Sequence, residues 1–125
     1  MRVTWFGRRG CERSRNSDAA AIAQRGQQCL AIVVDGAEKG PNSVELARYW
    51  ANAVLERALA KPSPLSEGVV NGLLKREQGR LHHGSLRDIA SYCLVSLDTD
   101  TLGVRIWHCG NCRVGLALPF THICC

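Results

Sequence analysis

Two cysteines two residues apart, Cys109 and Cys112, lie in the stretch RIWHCGNCRVGLAL between Arg105 and Leu118. Such spacing suits a redox pair, half of a zinc site, or a tight turn between strands. A thioredoxin-type pair needs a following helix whose N-terminus lowers the thiol pKa. Here Val114-Gly115-Leu116-Ala117-Leu118-Pro119 follows, and Gly115 and Pro119 are both unfavourable in a helix interior. That segment reads as a strand, so the redox pair loses its activating element. A zinc module has the right inventory in Cys109, Cys112, His122 and Cys124 or Cys125. Its second pair is cramped at the terminus, and its first interrupts a hairpin. His82, His83 and His108 read as solvated or hydrogen-bonded imidazoles.

The other conspicuous chemistry is cationic. Arg2, Arg8, Arg9, Arg13 and Arg15 stand against a single acid, Glu12, and the whole chain carries a formal charge of +5. A basic arm suggests nucleic acid, yet the segment carries no recognisable nucleic-acid-binding signature, and arginines equally serve anionic phosphate substrates. A solvated basic edge with one or two functional arginines is the expectation, and nucleic acid is not the expected partner.

These groups need a scaffold, and 125 residues with 46% hydrophobic content supply one core and one domain, residues 1–125. The apolar run near Cys29 to Val34 is too short to span a bilayer, and no apolar signal segment follows the Met-Arg start. A cytoplasmic chain without a membrane partner is expected. The seven cysteines are odd in number and irregularly spaced, so most read as packing residues.

Val3–Gly7 and Ala19–Ala23 are short strand candidates, and Gln28–Gly36 (QQCLAIVVDG with its preceding glutamine) is a clear one, expected to be central and buried on both faces. From Ser43 the period changes: Val44, Ala47, Trp50, Ala51, Val54, Leu55 and Ala58 recur at three and four, predicting a helix capped by Asn42 or Ser43. Pro62 and Pro64 break it. Ser63 as cap, Pro64 at the first helical position and Glu67 in the first turn predict a second helix reaching about Gln78, weakened by Gly68 and Gly72. A polar loop, Gln78–Asp88, then leads to strands at Ile89–Asp98, Leu102–His108 and Arg113–Leu118, with turns at Thr99–Thr101 and Cys109–Cys112. The class is α+β, with antiparallel strands and two adjacent helices.

Three segments acquire meaning in this order: Arg13-x-x-Asn16-x-Asp18, the apolar strand ending in Asp35-Gly36, and the strand pair closed by Gly110-Asn111-Cys112-Arg113. Together they resemble the metal-dependent protein phosphatases of the protein phosphatase 2C family. That family carries Arg-x-x-Asn-(Glu or Gln)-Asp, a strand ending in Asp-Gly, a helix, and later Gly-Asp-Ser-Arg. On this resemblance Cys109-x-x-Cys112 is a hairpin turn, and the fold is a partial αββα sandwich.

The resemblance implies a protein serine/threonine phosphatase using Mg2+ or Mn2+ and acting on a phosphoprotein substrate. Asp35 would bridge two metals, the Gly36 carbonyl would be a further ligand, Asp18 would act on the same centre, and Arg13 would receive the phosphate, with Arg15 competing for that role. Hydrolysis would be direct attack of metal-activated water on phosphorus, without a phosphoenzyme; hard cations and oxygen ligands suit that chemistry. The departures are specific. Ser17 replaces Glu or Gln, Ala37, Glu38 and Lys39 replace a glycine-rich run, Asn111 replaces an aspartate, and Cys112 replaces a serine.

The match corresponds to the N-terminal part of the family's domain, so an incomplete domain is expected, with Asp18 and Asp35 alone against two divalent cations and correspondingly poor affinity. Two other classes follow from the same residues. One is the small Cys/His zinc module; the other is a catalytically inactive interaction protein whose exposed apolar sheet face invites self-association or a complementing chain. Metal identity discriminates: thiolates select zinc, carboxylates magnesium or manganese.

Overall fold

The computed structural model describes residues 4, 6–7, 15–37, 41–83 and 90–115. Four strands, β1 (Asp18–Arg25), β2 (Gln28–Gly36), β3 (Ala90–Asp98) and β4 (Val104–Cys109), form one antiparallel sheet in chain order. Two helices, α1 (Ser43–Leu59) and α2 (Glu67–His83), connect β2 to β3. The α+β class is as expected; the described residues form one sheet with helices on one face.

The turn between β1 and β2 takes only Gly26 and Gln27, and Gly26 has the positive φ (56°) that short hairpin turns demand and glycine supplies without strain. Period-two alternation then divides the strands. Leu30, Ile32 and Val34 of β2 and Leu94 of β3 are at most 1% exposed and face the helices. Opposite them on β1 are Ala19, Ala21 and Ala23. These small side chains let α1 lie close, presenting Ala47, Ala51, Val54 and Ala58 along its buried stripe. Trp50 reaches across to Tyr92, with ring centroids 5.8 Å apart and tilted.

Asn42 is the N-cap residue of α1, as expected, but its side chain makes no cap hydrogen bond; the first helical bond runs from Leu46 N to the Asn42 carbonyl at 2.9 Å, and Glu45 sits in the positive first turn. At the other end Arg25 of β1 donates to the last-turn carbonyl of Leu59 at 2.8 Å. In α2 the cap is Ser66 rather than Ser63: its hydroxyl accepts from Val69 N at 3.3 Å, so the helix begins three residues after the expected proline. It also continues past Gln78 to His83. What carries it through Gly68, Gly72 and Gly79 is packing, since Val70, Leu73 and Leu74 enter the core beside Leu65. Buried Glu77 meets Arg57 of α1, lies 3.5 Å from Arg80 and accepts from the Tyr49 hydroxyl at 3.3 Å, pinning the two helices together.

Three other expectations need correction. β2 is interior to the sheet, but on the face away from the helices only Cys29 is buried, while Ala31, Val33 and Asp35 are half-buried. Arg113, Val114 and Gly115 do not form a strand, while Leu116–Leu118 lie outside the described residues. The Val3–Gly7 strand falls largely outside them too; Thr4, Phe6 and Gly7 are exposed and not in a strand.

Candidate divalent-cation site

The register that pairs β1 with β2 sets Asp18 directly opposite Asp35. Their neighbours Ser17 and Gly36 form a hydrogen-bonded pair, with Gly36 N donating to the Ser17 carbonyl at 3.1 Å. Asp18 and Asp35 therefore occupy a non-hydrogen-bonded position, where the two Cα atoms approach to about 4.5 Å and the side chains leave the same face. Like charges so opposed disfavour a sheet on their own.

Local chemistry fixes each side of the pair. Asn16 Oδ1 accepts from Asp18 N at 3.1 Å, a side-chain turn that launches β1 with Asp18 as its first residue. Gly36 ends β2 where the chain leaves toward α1, and a Cβ on it would stand 2.7 Å from the Ser43 carbonyl oxygen and 2.9 Å from that of Ser17. Only glycine fits between those two backbones. The Ser17 hydroxyl, itself buried, donates to the Gly36 carbonyl at 3.0 Å. That carbonyl keeps a second lone pair.

The third motif arrives at the same end. Ser91 is opposite Asp35 on β3, and its hydroxyl accepts from Asn111 N at 3.4 Å. Gly110, at φ 85°, lies so close to Ser91 that a Cβ there would come within 2.3 Å of its oxygen. The Gly110–Asn111 turn is thus seated against the strand beside Asp35. Cys112 follows, and burial, then the charges of Asp35, Cys93, Asp18 and Cys109, push its thiol above the ordinary range. Burial pushes Cys93 up as well. A thiol so disposed is a poor nucleophile, and Cys109 and Cys112 are both free. The redox reading has no support here.

Asp18, Asp35 and the Gly36 carbonyl, all hard oxygen donors on adjacent strand positions, fit Mg2+ or Mn2+ in chemistry. Among the described residues no group of three His, Cys, Asp or Glu side chains converges to hold a metal. Arg13 lies outside the described residues, as do Glu38, Lys39, His122, Cys124 and Cys125. Arg15 is described and exposed, and with Asn16, Val44, Glu45 and Arg48 it lines a cavity of about 360 Å³ beside the start of α1. Ser17 stood out in the sequence only as a departure from the first motif, and Ser91 not at all; each acts through one backbone group brought near by register.

No helix among the described residues is long and apolar enough to cross a membrane. Comparison with protein-family models, with curated proteins and with solved structures finds no match.

Proposed function

We propose that this chain is a metal-dependent phosphoester hydrolase of the protein phosphatase 2C kind, acting on phosphoserine or phosphothreonine in a protein. The observation that carries the reading is the opposition of Asp18 and Asp35, with Gly36 adjoining and the Gly110–Asn111 turn seated at the same sheet end through Ser91. Asp18, Asp35 and the Gly110–Asn111 turn, far apart in sequence, lie at one end of the sheet. An αββα sandwich, cytoplasmic location and a phosphoprotein substrate belong to the same proposal.

Asp18 and Asp35 would hold Mg2+ or Mn2+, with the Gly36 carbonyl as a further oxygen. When bound, such a cation lowers the pKa of water and neutralises charge on phosphoryl oxygens. The chain's own part is electrostatic and positional. The two carboxylates would hold the cation; the Ser17 hydroxyl fixes the direction of the Gly36 carbonyl, and Gly36 keeps side-chain bulk away from it. Arg13, three residues before Asn16, would receive the substrate phosphate with its planar fork of donors. In the overall reaction water oxygen bonds to phosphorus, the phosphorus–oxygen ester bond breaks, and the serine or threonine alcohol departs with a proton, leaving inorganic phosphate.

Hydrolysis of a small aryl phosphate by the purified chain with Mn2+ tests the proposal. Turnover that depends on Mn2+ and disappears in Asp35→Ala supports it; a folded chain with no turnover at any Mn2+ concentration removes catalysis by this polypeptide.

A further inference from the structure

The end of the sheet farthest from Asp18 and Asp35 carries a polar cavity of its own. Beside the last turn of α1, Arg25, Gln28, Ala60, Lys61, Pro62 and Ser63 line a space of about 320 Å³. It lies about 24 Å from the carboxylate pair, the length of β1 from Asp18 to Arg25. Gln28 begins β2 on the helix-facing side, two residues before Leu30, and is only 4% exposed. Its Nε2 donor is shielded from water and finds no hydrogen-bond partner among the described residues. Buried amides are almost always paired, because an unpaired one loses its hydration without return. A donor left unpaired on a residue of the cavity wall calls for an acceptor supplied by a ligand.

The other lining groups define that acceptor. Arg25 contributes a guanidinium, Lys61 an ammonium and Ser63 a hydroxyl, and no acidic side chain is among the lining residues. Arg25 spends Nη1 on the Leu59 carbonyl at 2.8 Å, which leaves other N–H donors of its fork for a ligand. Carbonyls at the helix end that would repel an anion are engaged as well, that of Glu56 by Ala60 N at 3.2 Å and that of Ala58 by Lys61 N at 3.0 Å. The acid opposite Gln28 in register, Asp98, turns Oδ1 to the N–H groups of Asp100 and Thr101 and lines a different cavity.

We propose that this cavity binds a phosphate dianion. Arg25 and Lys61 balance its charge, and donors that enter from β1, β2 and the connection between α1 and α2 suit a tetrahedral oxyanion better than a planar carboxylate, which a single arginine fork satisfies. Inorganic phosphate and the phosphate group of a monoester share this chemistry. The site uses no metal and is independent of phosphatase activity.

Calorimetric titration of inorganic phosphate into the whole chain, with EDTA present and sodium chloride at equal ionic strength as the blank, tests the proposal. Saturable binding to a single site is expected. Lys61→Met and Gln28→Met should each weaken it by about tenfold or more, whereas Lys75→Met, which removes an equal charge from the exposed side of α2, should leave it unchanged. Gln28→Met also separates ligand from fold. Replacing an unpaired buried amide by an apolar side chain of similar size should leave the phosphate-free chain at least as stable as wild type, while phosphate should raise the Tm of wild type and not of the variant. Glycerol phosphate distinguishes the two sources: binding at least as tight as that of the free ion assigns the site to an esterified phosphate, and weaker binding assigns it to inorganic phosphate. No saturable binding at millimolar phosphate by a folded wild type, binding that either substitution leaves intact, or a Gln28→Met chain destabilised without phosphate would each overturn the proposal.

Discussion

Asp18 and Asp35 face each other across β1 and β2 at a non-hydrogen-bonded position, one strand position from the point where Ser17 and Gly36 are tied twice, by Gly36 N to the Ser17 carbonyl at 3.1 Å and by Ser17 Oγ to the Gly36 carbonyl at 3.0 Å. The double tie fixes the end of the hairpin beside the two carboxylates. It also couples the fold to the site, because the carbonyl that would serve a cation is already oriented by a hydroxyl.

Glycines 36 and 72 should respond to alanine with opposite signs. Gly36→Ala drives a methyl against two backbone carbonyls at 2.7 and 2.9 Å and is expected to lose about 1–3 kcal/mol. Gly72→Ala meets nothing within 4 Å inside α2 and should gain about 0.5–1 kcal/mol. Urea unfolding of the two variants beside wild type decides both signs.

Ser17→Ala removes a buried donor to the Gly36 carbonyl and should cost about 1 kcal/mol. Because that hydroxyl orients the Gly36 carbonyl, Mn2+ affinity should fall, but by less than in Asp35→Asn, which removes a ligand oxygen outright. Unchanged Mn2+ affinity in a destabilised Ser17→Ala would show that the hydroxyl serves the fold and not the site.

Glu77 is 1% exposed and meets Arg57, Arg80 and the Tyr49 hydroxyl at the seam between the helices. Glu77→Ala should lose about 1–3 kcal/mol, the smaller end of a broken buried pair, because Arg57 is 36% exposed and can turn to water. Glu77→Gln, which keeps the acceptor for Tyr49, should lose less. Thermal unfolding ranks the two.

The turn between β3 and β4 should loosen in acid. Backbone N–H groups of Thr101 and Asp100, at 2.9 and 3.0 Å from Asp98 Oδ1, hold its carboxyl below the ordinary carboxylate value. A depressed folded-state pKa means the contribution is full above the unfolded value and is lost as pH falls through the folded one. Carbon-detected titration of Asp98 should therefore give a midpoint below the ordinary aspartate value, and Asp98→Asn should flatten the pH dependence of the Thr101 amide shift in that window.

Much of the architecture was legible because it rested on period. β2 appears with the bounds its β-branched run predicted, and α1 begins at Ser43 where the period changed from two to three and four. The start of α2 was misread because Ser63-Pro64 imitates a capping sequence, whereas the working cap is Ser66, whose hydroxyl reaches Val69 N. Its end was misread because Leu81 packs against the core and extends the helix into a stretch that composition alone marks as polar. At the site, the residue types of Asp18, Asp35, Gly36 and Gly110 were visible as motifs, but their meeting depends on register between strands separated by two helices. Ser91, which seats the Gly110–Asn111 turn, is a product of that register and has no signature of its own.

We propose that the hairpin of β1 and β2 holds a divalent cation between Asp18 and Asp35. Titrating Mn2+ into the chain while following the paramagnetic resonance signal of free Mn2+ measures it most directly. Saturable loss of signal in wild type, abolished in Asp35→Asn and in Asp18→Asn but retained in Asp100→Asn, whose carboxylate lies in the exposed turn at the far end of the sheet, is the predicted result. Binding that survives both site substitutions, or no binding by a folded wild type, would contradict the account.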